Sequence, residues 1–441
     1  MPHISQVYPR NATTIEHPAM NDATRSRQLL TLAGHVSMRV ASIGLQAMLT
    51  LAIGWICAPA EFGELVIITA HAMVGATLCA GGALQGALRV AHLVAPGNAW
   101  EGPVIRLLIA SALRRSLVGA ALVAAAIWFN PDVSAWGVAA GTALTLAMTL
   151  ASAASGFTIA RGQAPANQAF ELFLRLPVQA AGIAALYVTG HMSGPGLAAA
   201  TAMAAAVHGV ALLARMPVRA CAHRRVPAAM GALLSRFITS ASANAVLFTL
   251  LSSLEVLLGS RFVSAEEIAP LGIAGRIAGA LAMLHGAIFD FHATSVARSL
   301  RGQTPAEVRR LTRIVSIGAT MLTLATMLAC EAAVALMPDN VPATYQMAVT
   351  PLWILLGARL VTGGLGPAPA LLTLRGMHTR LAAVTCVGIA VEALLIVLLA
   401  SDRGPIGLAI ASGAGICAYA VMARVSARSI LGQGPGAKPV P

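Results

Sequence analysis

Residues 215–236, RMPVRACAHRRVPAAMGALLSR, hold Arg215, Arg219, Arg224, Arg225 and Arg236, carry no acidic residue, and separate a pair of long apolar tracts near the middle of the chain. Moving outward from this segment, the same enrichment returns in every second gap between hydrophobic stretches. Toward the amino end these gaps hold Arg161 and Arg175; Arg89, Arg106, Arg114 and Arg115; and Arg10, Arg25 and Arg27. Toward the carboxyl end they hold Arg298, Arg301, Arg309, Arg310 and Arg313; Arg375 and Arg380; and Arg424, Arg428 and Lys438. The intervening gaps carry only Arg261 and Arg403 as cations, with Glu61, Glu64, Asp132, Glu266, Glu267, Asp339 and Asp402 beside them. Loops that stay in the cytoplasm retain Arg and Lys, whereas loops that cross a bilayer are depleted of them. The alternation therefore predicts a many-times-threaded membrane protein.

Composition agrees. The chain is 57% hydrophobic and 10% charged, with a mean hydropathy of +0.78, which suits a polypeptide solvated mostly by lipid. Its formal charge of +13 is spread over seven patches without interleaved aromatics, so anionic lipid headgroups are a better partner than nucleic acid. The six cysteines show no CxxC spacing, and five read as small buried hydrophobes. The first 28 residues lack the short apolar core and cleavage site of a signal peptide.

With ~20 apolar residues per crossing, twelve crossings are expected: 32–57, 65–88, 113–129, 136–160, 176–190, 197–214, 238–259, 269–293, 314–337, 351–374, 381–400 and 406–423. The expected class is an all-α polytopic membrane protein of two six-helix halves related by an axis along the membrane normal. Domain boundaries follow: a polar cytoplasmic N-terminus 1–28, a first half 29–214, the cationic linker 215–236, a second half 237–424, and a disordered tail 425–441. GWICAPAE (54–61) and GSRFVSAE (259–266) form a weak internal repeat after the first helix of each half. Thr304, Pro305 and Glu307 form a capping box leading into the ninth crossing, and Glu171 and Arg175 have the spacing of a helical ion pair within a cytoplasmic linker.

There is no phosphate-binding Gly-rich loop followed by Lys, no HExxH and no GxSxG, so no catalytic residue, metal site or cofactor is assigned. The informative residues are charges within apolar segments, each costing at least ~2.5 kcal/mol on insertion scales unless partnered or hydrated. Arg39 lies roughly 10 Å into the first crossing, with Gln46 two turns along the same face. Arg276 and Glu255 fall at matching depth on consecutive crossings, as do Glu331 and Arg359, while Glu392 sits mid-helix without an evident partner. Two readings stand for these groups: buried ion pairs that fix packing, or substrate contacts (Arg39, Gln46, Arg276, Arg359) with coupling carboxylates (Glu255, Glu331, Glu392). His35, His71, His208 and His285 lack mutual ligand spacing and read as packing residues.

LGSRFVSAEEIAPLGIAGRIAGAL, residues 258–281, preceded by Glu255 and containing Arg276, resembles the seventh and eighth helix region of polysaccharide exporters in the multidrug/oligosaccharidyl-lipid/polysaccharide flippase superfamily. APAEFGEL (58–65) is similar to the turn after their first helix, and PLWILLGARLVTGGLGPAPALLTLRGMHTR (351–380) to their tenth helix and following Gly turn. The low aromatic content and the single Lys are departures. The resemblance implies a cofactor-free, non-enzymatic flippase of the inner membrane, moving polyprenyl-diphosphate-linked oligosaccharide for O-antigen or exopolysaccharide assembly. Its partners would be membrane lipids, a polysaccharide polymerase and glycosyltransferases. A cation-coupled multidrug-type exporter is the first alternative. A membrane polymerase is the second, although the loops leave no room for an extracytoplasmic catalytic domain.

The alternation also fixes sidedness: both termini and the 215–236 linker are expected in the cytoplasm. Reporter fusions at Ala229 and Ala265 should lie on opposite sides of the membrane; reports from the same side would refute the threading.

Overall fold

The computed structural model describes residues 22–80, 101–161, 163–216, 242–301, 305–336 and 341–432. The residues 1–21, most of the cationic linker, Thr304 of the expected capping box and the last nine residues lie outside them. The described chain is helical, with no strand among the described residues. The first half contains α1 (Asp22–Ile56), α2 (Pro59–Ala80), α3 (Glu101–Trp128), α4 (Ala135–Ala160), α5 (Ala164–Val188) and α6 (Gly194–Ala214). In the second half, α7 is a bent pair, Ser242–Leu251 and Leu254–Arg261, followed by α8 (Ala265–Arg301), α9 (Pro305–Ala335) and α10 (Ala343–Leu365). A short helix, Ala368–Leu374, then leads into His378–Gly432.

That last helix is two crossings. Its apolar stretch, His378–Arg428, is 51 residues long, or roughly 75 Å at the α-helical rise, far beyond a hydrocarbon core of ~30 Å. Gly404, with φ 53° and ψ −133°, breaks it, giving α11 (378–403) and α12 (405–432). The two fold back on each other: a methyl on Gly407 would lie 2.4 Å from the Leu399 carbonyl, and one on Gly388 would lie 3.0 Å from the Gly415 carbonyl oxygen, as would one on Gly415 from that of Gly388. Glycine permits both the left-handed turn and the close antiparallel approach. Counting the bent α7 once, the described residues contain the twelve expected spans.

Several boundaries differ from expectation. The third span begins at Glu101, so Arg106, Arg114 and Arg115 lie on its helix. The fifth begins at Ala164, not near residue 176, which places Glu171 and Arg175 inside the span instead of in a linker. The tenth begins at Ala343, eight residues before the expected start. Of the cysteines, Cys57 and Cys79 are buried, but Cys386 is exposed on the helix surface.

Within the first half α4 packs on α2, α3 and α6; in the second, α10 packs on α8, α9 and the α11–α12 hairpin. The halves meet where α8 lies along α1 and α2, and Ala269 and Ile273 of α8 join the core of the first half. At the cation-poor face this junction is closely closed. A methyl on Gly63 would stand 1.7 Å from the Ala265 carbonyl oxygen. The Asn130 amide donates to Ser260 Oγ at 3.0 Å, and Ala265 N–H donates to Asp132 Oδ2 at 3.1 Å.

The charges on this face hold helix ends. The Arg261 guanidinium donates to the carbonyls of Phe129 and, at 3.3 Å, of Ala126, so it answers the unpaired carbonyls that end α3. Glu61 accepts from Gly194 N–H at 2.7 Å, and Glu64 accepts from Ser134 N–H and hydroxyl at 3.0 and 2.9 Å. With Asp132 at the start of α8, these carboxylates sit at helix N-termini, where both the free N–H groups and the helix dipole favour negative charge. An Arg and three acids therefore survive on the cation-poor side because each closes a helix end.

Candidate functional site

The seventh span is bent by 63° between Leu251 and Leu254, and this bend decides the surroundings of Glu255. The segment after the bend packs against α11 and α12, where Glu255, Glu392 and Ser412 lie together and Arg359 of α10 acts on Glu255 at longer range. Glu392 is fully buried, and Glu255 retains 9% of its exposure. Both oxygens of Glu392 and Oε2 of Glu255 have no hydrogen-bond partner. Gly415 makes the space, since a methyl there would meet Glu392 Cβ at 2.7 Å and Oε2 at 3.0 Å.

Beside this group a cavity of about 340 Å³ runs between α7, α8, α9, α10 and α12. Its polar lining comes from Ser252, His285, Arg359, Thr362 and Tyr419, among mostly apolar side chains. Gly366, whose φ is 78°, lines it where α10 ends toward the cation-rich face. His285 Nε2 is 3.0 Å from Thr323 Oγ1, and the tilted rings of Phe248 and Tyr419 pack with centroids 5.9 Å apart. Arg359 thus stands between an accessible cavity and the two carboxylates.

The sequence pairings change accordingly. Glu255 and Arg276 do not form an ion pair: the α7 bend re-aims Glu255 toward Glu392, which supplies the partner missing from the sequence reading. Glu331 and Arg359 do not pair either. Glu331 is exposed, four residues before the end of α9, whereas Arg359 lies sixteen residues into α10 because that helix starts at Ala343. They are near opposite membrane faces.

Arg39 and Gln46 are half-buried on α1, seven residues apart. Arg276 is half-buried on α8, the helix that faces the first half, and the charge acting most on it is Arg175 of α5, from that opposite half. Arg175 makes the expected pair with Glu171, at 3.1 Å, but within the membrane span and beside the halves' junction. Residues 171–175 form a π turn. Leu176 N–H bonds to the Glu171 carbonyl, and Pro177 supplies no N–H of its own, so the widened turn absorbs the missing donor. Such turns recur at functional sites. The sequence reading missed Arg175 and Ser412 as site residues; the Pro177 that follows the Glu171–Arg175 pair was the available signal for the first.

The carboxylate pairing generates a stability test. Double-mutant cycles read by thermal unfolding in detergent should show Glu255→Gln and Glu392→Gln coupled by more than ~0.5 kcal/mol, while Glu255→Gln and Arg276→Gln add within that margin. Additivity of the first pair with coupling of the second would restore the sequence-based pairing.

No protein-family model and no curated relative matches the chain. Solved structures do. A multidrug resistance MATE family transporter of the MOP superfamily, in an inward-facing conformation, superimposes with TM-score 0.65 at 12% identity over 91% of this chain and 98% of its own. The MATE multidrug transporter DinF-BH gives 0.66 at 17% over 90% and 95%. The lipid II flippase MurJ, in an inward closed conformation, gives 0.63 at 10% over 90% and 87%. The chain has the fold shared by these transporters.

Proposed function

We propose that this protein is a flippase that carries polyprenyl-diphosphate-linked oligosaccharide across the cytoplasmic membrane, by alternating access of its two halves, for cell-surface polysaccharide assembly. The observation that carries the reading is Arg276, half-buried on the helix α8 that faces the first half, with no carboxylate paired to it among the described residues. A cation held in a poorly solvated junction gains from a bound anion through charge-assisted contacts. A diphosphate supplies such a charge, and Arg39 stands nearer the cation-rich face, where a cytoplasmic precursor would enter. The prenyl chain would stay in lipid while the polar head passes between the halves.

Energy coupling is assigned to Glu255 and Glu392. Two adjacent carboxylates repel when both are ionised, so the pair holds a proton or a monovalent cation between them. The cavity beside Arg359 gives that ion a route toward the cation-rich face. The same pair, with the likeness to multidrug transporters, favours the second reading, a cation-coupled exporter of small amphiphiles. A junction that holds Arg276 opposes cationic drugs as cargo, which is why the anionic lipid is preferred.

In cells that depend on this protein for surface polysaccharide, Arg276→Ala and Arg39→Ala should each reduce polysaccharide by at least about tenfold at normal membrane abundance. Arg→Lys should restore only a fraction of it, because a single ammonium replaces a bidentate fork. Normal export by both Ala variants at normal abundance would exclude the proposed cargo.

A further inference from the structure

The ion scheme uses the second-half cavity as a passage but leaves its lining unexplained. No Asp or Glu lines it, and Arg359 is its one permanent charge among the described residues. The rest of the wall is mainly apolar and includes Phe248, Phe289 and Tyr419. Aromatic residues make up only 4% of the chain, so three of them around one space of about 340 Å³ are a local concentration. Small residues keep that space open. Ala282 and Gly286 stand one turn apart on α8, and Gly363 and Gly366 one turn apart at the end of α10. A methyl on Gly286 would meet nothing within 4 Å.

The polar groups of the wall define what fits. The Arg359 guanidinium forms no ion pair or hydrogen bond among the described residues, and Glu255 acts on it only at longer range. The Tyr419 hydroxyl likewise donates to no group among them. The other polar side chains are already engaged: the Ser252 hydroxyl donates to the Phe248 carbonyl at 2.9 Å and that of Thr362 to the Arg359 carbonyl at 3.0 Å. His285 is held by Thr323 at 3.0 Å. The donors left without an acceptor are therefore a guanidinium and a phenol, on α10 and α12. A carboxylate supplies the acceptors that both lack, in charge-assisted form for the guanidinium, and an aromatic body suits the three rings.

Size and depth narrow the source. About 340 Å³ is at the lower end for a small-molecule site and too small for a lipid-linked oligosaccharide, so the occupant is not the proposed cargo. Arg359 lies seven residues before Gly366, roughly 10 Å deeper from the cation-rich face by the helical rise. A bilayer phospholipid keeps its headgroup at the interface and its tails inward, the reverse of a charge at the deep end. A free organic acid can enter carboxylate first.

We propose that this cavity binds a small aromatic carboxylate, with the carboxylate on Arg359 and Tyr419 and the ring among Phe248, Phe289 and Tyr419. The site stands apart from the flippase reading, because it takes a different molecule and neither Arg39 nor Arg276 lines it. Where the coupling ion uses the same cavity, the bound carboxylate stands in its path.

The test uses full-length protein in nanodiscs at neutral pH, with naphthoate, naphthamide and naphthylmethylammonium as probes of one shape and three charges. Binding is read by isothermal titration calorimetry against empty nanodiscs. Wild type should bind naphthoate at least about tenfold more tightly than naphthamide, and the ammonium most weakly. Arg359→Met should remove that tenfold preference and leave naphthamide binding unchanged, while Arg359→Lys keeps part of it, since an ammonium retains the charge without the fork. Gly286→Leu, which leaves Arg359 in place and fills the open space, should abolish binding of naphthoate and naphthamide alike, and serves where Arg359→Met does not fold. Equal binding of naphthoate and naphthamide by wild type would overturn the proposal, as would binding of neither. Unchanged naphthoate binding by Gly286→Leu would place the probe elsewhere and overturn it too. None of these results bears on movement of the lipid-linked sugar, so the two proposals fail separately.

Discussion

In hydrocarbon there is no water to satisfy a polar group, so every N–H, carbonyl and charge must find its partner within the protein. The placement of the ionisable residues follows from that constraint. At the cation-poor face it is met helix by helix: Glu61, Glu64 and Asp132 accept the free N–H groups at the beginnings of α6, α4 and α8, and Arg261 answers the carbonyls ending α3. Two of these contacts, those of Asp132 and Arg261, run between the halves, so satisfying helix ends also seals the molecule on that side. The close approach of Gly63 to Ala265 depends on the same registration.

Deeper in the membrane the constraint is incompletely met, and those places are informative. Glu255 and Glu392 share one site yet keep oxygens without partners, and between α5 and α6 Asn167, Gln168, Gln179 and His208 do the same with amides and an imidazole. Both features lie where a helix departs from regularity: the 63° bend in α7 and the π turn before Pro177. An irregular turn gives up backbone order locally and re-aims side chains, which a regular helix cannot do. The second half thereby gathers two acids behind the Arg359 that lines its cavity, whereas the first gathers neutral hydrogen-bonding groups near Arg175.

Much of the fold was legible because it is written in bulk properties. Alternating Arg enrichment and ~20-residue apolar runs locate the spans, and even the α11–α12 hairpin is marked by Asp402, Arg403, Gly404 and Pro405 between two apolar runs. The site was legible only in its members. Arg276, Arg359, Glu255 and Glu392 stand out as charges in apolar sequence, but pairing them required depth and facing to within a turn. A start for α10 at Ala343 moves Arg359 by two turns relative to Glu331, enough to separate them. The α7 bend has no Pro or Gly at its break, only Ser252 and Ser253, so nothing in the hydrophobic pattern announced it. Arg175 was hidden by the opposite error: a Glu–Arg pair near a Pro reads as a solvated linker, although here it is covered by α1 and α6.

An anionic, lipid-linked cargo passing between the halves is the central claim. Its most direct test is purified protein in liposomes with a fluorescent polyprenyl-diphosphate-linked sugar placed in one leaflet, scored by quenching of probe that reaches the other. The expected result is protein-dependent translocation at least about tenfold above empty liposomes, with no comparable movement of a cationic dye such as rhodamine. Movement of the dye without the lipid-linked sugar would contradict the claim and establish the exporter reading in its place.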